Sequence, residues 1–104
     1  AAQREFLRLE PASGDAWHEL GMTYQYLGDN VRAADAYRAA LARDSSSAAT
    51  WFNLIDVVYA AGDTSGAFRA LEEMGRAIPG HPGIFTMTAT LAVAVGDFVR
   101  AEQQ

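Results

Sequence analysis

The chain of 104 residues contains no cysteine and no lysine. The absence of cysteine excludes disulfides, thiolate metal ligands and a cysteine nucleophile. The absence of lysine excludes Schiff-base chemistry and the lysine of a phosphate-binding loop. Proline is also scarce, with three residues, whereas half of the chain is hydrophobic and alanine is abundant. This composition favours a folded domain that is rich in helix.

The chain also has few positively charged residues. The eight basic residues, all arginine, are outnumbered by 13 acidic ones, which gives a net charge of −5 at pH 7. General binders of nucleic acid or of anionic membranes need a basic surface, so neither class is expected. No run of about 18 apolar residues could span a membrane, and the mixed, charged first residues do not resemble a signal peptide. We therefore expect no nucleic-acid partner and no membrane insertion, and the compartment stays open between cytoplasm and periplasm.

A period of 34 residues runs through the chain. Aromatic residues, a Gly-Asp pair, a leucine and an alanine each recur at this step. Several independent columns at one interval exclude coincidence. The chain lacks an initiator methionine and the pattern is interrupted at both ends. Both features predict that the chain is one part of a longer array of repeats. The recurring positions are Trp17, Trp51 and Phe85; Gly28, Gly62 and Gly96, each followed by aspartate; Leu20 and Leu54; and Ala33, Ala67 and Ala101.

Within each unit the apolar spacing predicts two helices joined by a tight turn. In the first unit, residues three, four, seven and ten positions after Trp17 form one helical face, which Gly28 ends as a left-handed cap. Asp29 or Asn30 then caps a second amphipathic helix. The second unit repeats this order and ends at a Pro-Gly pair.

The two ends of the chain are predicted to hold incomplete units. Pro82 suits the first turn of the third unit's leading helix, and Gly96 is expected to end that helix as Gly28 ends the first. A second helix would then begin just before the end of the printed sequence. At the other end, Pro11 precedes Ser45 by the same 34-residue step, so the residues before it are expected to be the tail of an earlier second helix.

These residues resemble the tetratricopeptide repeat, whose 34-residue pattern is W-x2-L-G-x2-Y followed by an alanine, an aromatic residue and a closing proline. The resemblance covers nearly the whole chain and implies an all-α, right-handed solenoid of stacked antiparallel helix pairs. It divides the chain into residues 1–13 (the end of a preceding repeat's second helix), 14–47 (repeat 1), 48–81 (repeat 2, divergent) and 82–104 (repeat 3, truncated in its second helix). The structural repeat positions are Trp17, Leu20, Gly21, Tyr24, Gly28, Ala33, Tyr37, Trp51, Leu54, Gly62, Ala67, Pro79, Phe85, Gly96 and Ala101.

The second repeat departs from the pattern where helices should approach closely. Ile55 stands at the place of Gly21, which we expect to face the small residues Ala33 and Ala40, and Met74 replaces Ala40. The added bulk predicts helices that are spread apart or shifted in repeat 2. Gly75, beside Met74, is expected to give room for that shift.

The candidate catalytic and metal-binding motifs are incomplete. A helical zinc pair needs a second ligand four residues after His18, where Met22 stands, and the only other histidine is His81 in a turn. The three serines at 45–47 have no nearby base, and the adjacent Glu72 and Glu73 point in different directions on a helix. We therefore expect no catalytic residue, no metal ligand and no cofactor, and a chain that is not an enzyme.

The concave surface is the better candidate site. In the family that the chain resembles, the first helix of each pair commonly lines a concave surface that holds an extended peptide or a partner helix. Three carboxylates on this surface favour a ligand that carries arginine or lysine beside apolar residues. Only Asn53 matches the clamp with which chaperone-binding members hold a terminal carboxylate, so an acidic tail is not expected. The candidate residues are Asp15, His18, Glu19, Met22, Gln25, Tyr26, Phe52, Asn53, Asp56, Tyr59, Thr86, Met87 and Thr90.

Two interpretations of this surface stay open. Its residues could be merely exposed, although aromatic residues grouped on one face favour a contact role. The leading hypothesis is a non-catalytic scaffold for protein–protein interaction that binds a peptide or protein segment.

Two other functional classes are also weighed. The first is a regulatory or substrate-positioning segment of a larger enzyme, such as a transferase. The second is an assembly protein that associates with itself end to end, through uncapped apolar ends near Leu7 and Val93. The abundance of alanine and arginine is typical of a GC-rich bacterial genome.

Overall fold

The fold is an all-α stack in which each helix packs against the next one along the chain. The computed structural model describes residues 13–103 and the side chains of residues 13–96, and this part contains no strand. The all-α prediction of stacked helices is confirmed, whereas the right-handed sense of the solenoid stays a prediction. The helix predicted in residues 1–13 lies outside the described residues, apart from Ser13. The helices are α1 (Gly14–Tyr26), α2 (Asn30–Arg43), α3 (Ala48–Ala60), α4 (Thr64–Ala77) and α5 (Pro82–Gln103).

The helices begin where side chains satisfy the free backbone amides of the first turn. Ser13 and Ser47 open α1 and α3, and their hydroxyl oxygens accept from the amides three residues on, at 3.1 and 3.3 Å. Asp29 and Asp63 do the same for α2 and α4, at 3.2 and 2.9 Å. Each such cap contributes about 1 kcal/mol. Serine therefore opens the first helix of each pair and aspartate opens the second.

The turn inside each pair depends on a glycine with left-handed backbone. Gly28 has a φ of 81° and Gly62 a φ of 91°. Beyond each glycine, the amide of Asp29 donates to the Tyr24 carbonyl at 2.9 Å, and the amide of Asp63 donates to the Val58 carbonyl at 3.1 Å. This is the Schellman arrangement, in which glycine avoids the steric cost that other residues would meet. The two predicted turns are therefore confirmed.

The core lies between the helices of successive pairs. Small residues at Ala33 and Ala67 are fully buried where paired helices meet. Ile55 and Met74, the bulky departures of the second repeat, are also fully buried and belong to the same apolar cluster. Other members of this cluster are Leu41, Trp51, Leu54, Val57, Val58, Ala70, Leu71 and Leu91.

The third unit differs from the prediction, because α5 runs without a break from Pro82 to Gln103. The turn predicted at Gly96 is absent, and Gly96 is not among the glycines with positive φ. Continued helical hydrogen bonding satisfies the backbone here instead. The prediction of a separate second helix in repeat 3 is therefore wrong for these residues. The side chain of Ala101 lies outside the described part.

Phe85 is a second correction, since it does not pack as its counterpart Trp51 does. Trp51 is buried and its indole donates to the Ser45 carbonyl at 2.8 Å. Phe85 has no indole donor to make the equivalent bond and is 85% exposed. The buried face of α5 consists of Ile84, Met87 and Leu91 instead, which leaves Phe85 on the outer side.

Within the described part of the chain, no helix is both long and apolar enough to cross a membrane.

Alanine substitutions at two glycines should distinguish the left-handed turn from the continuous helix. Gly62→Ala is expected to lower the free energy of unfolding by about 1 kcal/mol, because its Cβ strains the left-handed backbone. Gly96→Ala is expected to raise the free energy of unfolding by about 0.5–1 kcal/mol, because alanine favours a helix interior. Denaturant titration followed by circular dichroism measures both changes. An equal loss of stability in the two variants would place a turn at Gly96 and contradict the continuous α5.

Candidate functional site

A buried tyrosine brings together the predicted concave-face residues of α1 and α3. Tyr37, on α2, is fully buried, and its hydroxyl donates to the Gln25 side-chain carbonyl oxygen at 2.6 Å. Asn53 also makes a side-chain hydrogen bond to it, and Asp56 lies near enough to act on it electrostatically. The His18 ring centre lies 5.4 Å from the Tyr37 ring centre. We call these five residues the Tyr37 cluster.

Tyr37 reaches this position because Gly21 has no side chain. A Cβ placed on Gly21 would lie 2.6 Å from the Tyr37 ring, which is far closer than van der Waals contact allows. The three atoms nearest to that Cβ all belong to the Tyr37 ring, and the predicted approach of Gly21 to Ala33 and Ala40 stays a prediction. Tyr37 was predicted only as a structural position. It both packs the repeat and organises the polar groups around it.

Electrostatics keep the Tyr37 hydroxyl protonated as a hydrogen-bond donor. Burial raises the pKa of Tyr37, the hydrogen bond from Asn53 partly offsets this, and the negative charge of Asp56 raises the pKa further. Burial also raises the pKa of Asp56, although its carboxylate stays accessible to solvent. The cluster therefore offers an incompletely solvated carboxylate at its surface and neutral amide groups below it.

A second polar connection joins α1 to the start of α3. The His18 Nδ1 lies 2.8 Å from the Thr50 hydroxyl, which in turn donates to the Ser47 hydroxyl oxygen at 2.9 Å. His18 is thus half-buried between two repeats rather than a freely solvated face residue. Thr50 was not predicted. Its counterpart in the first unit is Ala16, which has no hydroxyl and so gives no indication of this hydrogen bond.

A polar cleft opens beside this connection. Its volume is about 210 Å³, and it brings Asp15 and His18 of α1 near Asp44 at the end of α2. Hydrogen bonds from the side chain and the backbone amide of Ser46 lower the pKa of Asp44, so this carboxylate stays ionised. The residues lining the cleft are Gly14, Asp15, His18, Ala40, Asp44, Ser47, Ala49 and Thr50.

The remaining predicted residues divide into exposed and packed positions. Tyr26 is 91% exposed and Met22 is 50% exposed, as an interaction surface requires. Phe52 is half-buried, with its ring 5.9 Å from that of His81 and against Gly83, so it fills the junction between α3 and α5. Tyr59 and Met87 also pack against the core rather than project from it. Asp15, Glu19, Thr86 and Thr90 are exposed.

The arginines of the described side chains are confined to α2 and α4, which also carry the carboxylates of Asp35, Glu72 and Glu73. The helices α1 and α3 carry three carboxylates, of Asp15, Glu19 and Asp56, and no arginine. No group of three or more histidine, aspartate or glutamate side chains within this part could hold a metal ion. The carboxylates of α1 and α3 therefore give this surface a negative charge.

The self-association predicted for the uncapped ends is not tested by this geometry. The exposed Phe85 and Val93 on α5 are consistent with an apolar end surface. Phe98 and Val99 on that helix have side chains outside the described residues. Self-association stays a prediction.

Two glycine-to-alanine variants should show that the Tyr37 ring is confined by α1. Gly21→Ala is expected to lower the free energy of unfolding by about 1–3 kcal/mol, because its Cβ overlaps a fully buried ring. Gly75→Ala is the matched control, since a Cβ there meets no atom within 4 Å. It should raise the free energy of unfolding by about 0.5–1 kcal/mol. Thermal and denaturant unfolding measure both; an unchanged stability in Gly21→Ala would show that Tyr37 moves aside freely.

Asp56→Asn should stabilise the protein in a pH-dependent way. Since burial raises the folded-state pKa of Asp56, its ionised form weakens the fold above that pKa. The cost declines as the pH falls through the raised pKa and vanishes below the unfolded pKa. The variant should therefore melt at a higher temperature at pH 7 and converge with the unmodified chain in acid. Asp35→Asn, at an exposed position on α2, is the control; the same gain in both variants would contradict a specific effect at Asp56.

Part of the chain matches the profile of a known protein family. The family profile described as tetratricopeptide repeat matches residues 14–57, which cover α1, α2 and most of α3. A search of curated proteins finds no match to this chain. The matched segment contains Gly21 and all five residues of the Tyr37 cluster. The helix pairs and the 34-residue period agree with this match, which identifies residues 14–57 as tetratricopeptide repeat.

Proposed function

We propose that this protein is a non-catalytic scaffold whose α1 and α3 surface binds a protein segment that carries arginine or lysine beside apolar residues. Tetratricopeptide repeats generally mediate protein–protein interaction. The observation that carries the specific proposal is the charge of this surface: three carboxylates and no arginine on α1 and α3. Such a surface attracts cationic segments and repels anionic ones.

Asp56 is the central residue of the proposed contact. Its carboxylate lies near enough to Tyr37 to raise the pKa of that tyrosine, and burial raises the pKa of Asp56 itself. A guanidinium or ammonium group placed here would replace lost hydration with a charge-assisted hydrogen bond, an interaction that contributes about 1.5–3 kcal/mol. Binding of a cation would also lower the pKa of Asp56 toward its ordinary value.

The exposed apolar residues supply the second part of the contact. Tyr26 and Met22 lie on α1, on the same helix as the acidic Glu19. Exposed tyrosine and methionine side chains offer contact area with few polar groups to desolvate. A segment that alternates a basic residue with apolar ones would therefore match both features.

The hydrogen-bonded groups of the junction support a non-catalytic role. The chain of His18, Thr50 and Ser47 contains the residue types of a nucleophile and a base. Thr50, however, is only 3% exposed, and the Ser47 oxygen caps α3. The Thr50 hydroxyl is thus buried and hydrogen-bonded to the residue that caps α3, which supports a structural role for it.

Peptide binding tests the proposal directly. Two pools of short labelled peptides share the same apolar residues and differ only in carrying arginine and lysine or aspartate and glutamate. Fluorescence anisotropy should show binding of the basic pool to the full chain and none of the acidic pool. Asp56→Asn should weaken the affinity by about tenfold, whereas the control Asp35→Asn on α2 should leave it unchanged.

The pH dependence gives a second readout of the same contact. Affinity should fall as the pH drops through the raised pKa of Asp56, because the protonated carboxyl no longer attracts a cation. Equal affinity for the two peptide pools, or equal losses in Asp56→Asn and Asp35→Asn, would contradict the proposal.

A further inference from the structure

The Tyr37 hydroxyl makes two hydrogen bonds of opposite direction. It donates its one proton to the Gln25 Oε1 at 2.6 Å. Its bond with Asn53 is therefore one that it accepts, from the side-chain amide nitrogen of Asn53. Burial raises the pKa of Tyr37 and the Asn53 bond opposes that rise, as expected when the phenolic oxygen accepts. Tyr37 thus fixes the orientation of both amide groups.

The two amide groups consequently present different atoms to a ligand. The Asn53 nitrogen is bonded to Tyr37, which leaves the Asn53 Oδ1 as an acceptor. The Gln25 oxygen is bonded to Tyr37, which leaves the Gln25 Nε2 as a donor. No hydrogen bond among the described residues uses either of these remaining atoms. The α3 side of the Tyr37 cluster therefore offers an acceptor, and the α1 side offers donors.

Asp56 lies on the acceptor side of this arrangement. It follows Asn53 by three residues on α3, so the two side chains are neighbours on one helix face. Asp56 is exposed, and it lies near enough to Tyr37 to act on that residue electrostatically. A carboxylate and an oriented amide oxygen thus lie side by side, and both can accept from the same ligand group.

A guanidinium group matches these acceptors better than an ammonium group does. Its planar array of N–H donors can pair with both oxygens of a carboxylate and direct a further N–H to a neighbouring acceptor. It is also more weakly hydrated than an ammonium group, so it loses less hydration when it enters a partly buried site. The Gln25 donors cannot accept from either cation, which confines the cation to the α3 side.

We propose that the α1 and α3 surface selects arginine over lysine, with the guanidinium group bound by the Asp56 carboxylate and the Asn53 Oδ1. This inference rests on the proposed function and specifies the basic residue that the surface recognises. Tyr37 and Gln25 are positioning residues in it. Gln25 accepts the tyrosine proton, Tyr37 in turn accepts from the Asn53 amide, and the Asn53 oxygen is left for the ligand.

Three forms of one peptide test the selection of arginine. A sequence that binds from the basic pool is made with arginine, lysine or citrulline at its basic positions; citrulline has the shape of arginine without its charge. Fluorescence anisotropy on the full chain should give about tenfold tighter binding of the arginine form than of the lysine form, because the guanidinium group makes an additional hydrogen bond. The citrulline form should bind most weakly.

The outcomes separate this inference from the proposed function. Equal affinities of the arginine and lysine forms, both tighter than citrulline, would overturn the selection of arginine and leave the proposed function intact. Equal affinities of all three forms would overturn both, because charge would then not contribute to binding.

Three variants test the role of the oriented amide. Asn53→Ala should bring the affinities for the arginine and lysine forms close together, whereas the control Asn30→Ala, at the start of α2, should leave their ratio unchanged. Tyr37→Phe keeps the buried ring but loses the hydroxyl, so the Asn53 amide can turn and the ratio should also fall.

The ratio of the two affinities is a readout that a loss of stability does not move, because both peptides are measured on the same folded fraction of the chain. An unchanged ratio in Asn53→Ala would overturn the proposed site. An unchanged ratio in Tyr37→Phe would overturn the positioning of Asn53 by Tyr37.

Discussion

The insertion of the Tyr37 ring beside Gly21 is the contact on which the first repeat and its surface chemistry both depend. The missing Cβ at Gly21 lets α2 place a full aromatic ring against α1. The hydroxyl of that ring then extends beyond the apolar core to Gln25, Asn53 and the neighbourhood of Asp56. A packing residue thus positions polar groups from two successive repeats, and the candidate surface takes its geometry from the core beneath it.

The repetition of short-range signals explains which parts of the fold could be predicted from the sequence. Gly28 and Gly62 each require a left-handed turn, and Asp29 and Asp63 each cap the next helix, so local chemistry and the 34-residue period agree. Gly96 shows the limit of this reasoning. A glycine permits a turn but does not require one, and here the helical hydrogen bonds continue through it. Whether a turn forms depends on the tertiary contacts that a returning helix could make.

The sequence predicted which residues of α1 and α3 belong to the candidate site, but not that Tyr37 brings them together. Helical spacing places His18, Gln25, Asn53 and Asp56 on the faces of α1 and α3, whereas the residue at their centre comes from α2. Thr50 could not be inferred, because a single threonine without a counterpart in the first unit leaves no periodic trace. Phe52 and Tyr59 were predicted to lie on the candidate surface, but they pack against neighbouring residues. An aromatic residue at a face position can turn inward when a neighbouring helix leaves space for it.

The junctions between successive units differ in a way that affects how the array deforms. Between the first and second units, His18, Thr50 and Ser47 form directional hydrogen bonds. Advancing these positions by 34 residues gives Phe52, Ile84 and His81, so the next junction is largely apolar, and the His81 Nδ1 accepts from the Gly83 amide to cap α5. Directional bonds resist rotation, whereas apolar contacts tolerate small sliding motions at little cost. The first junction should therefore resist bending more than the second, so bending of this array should concentrate between α3 and α5.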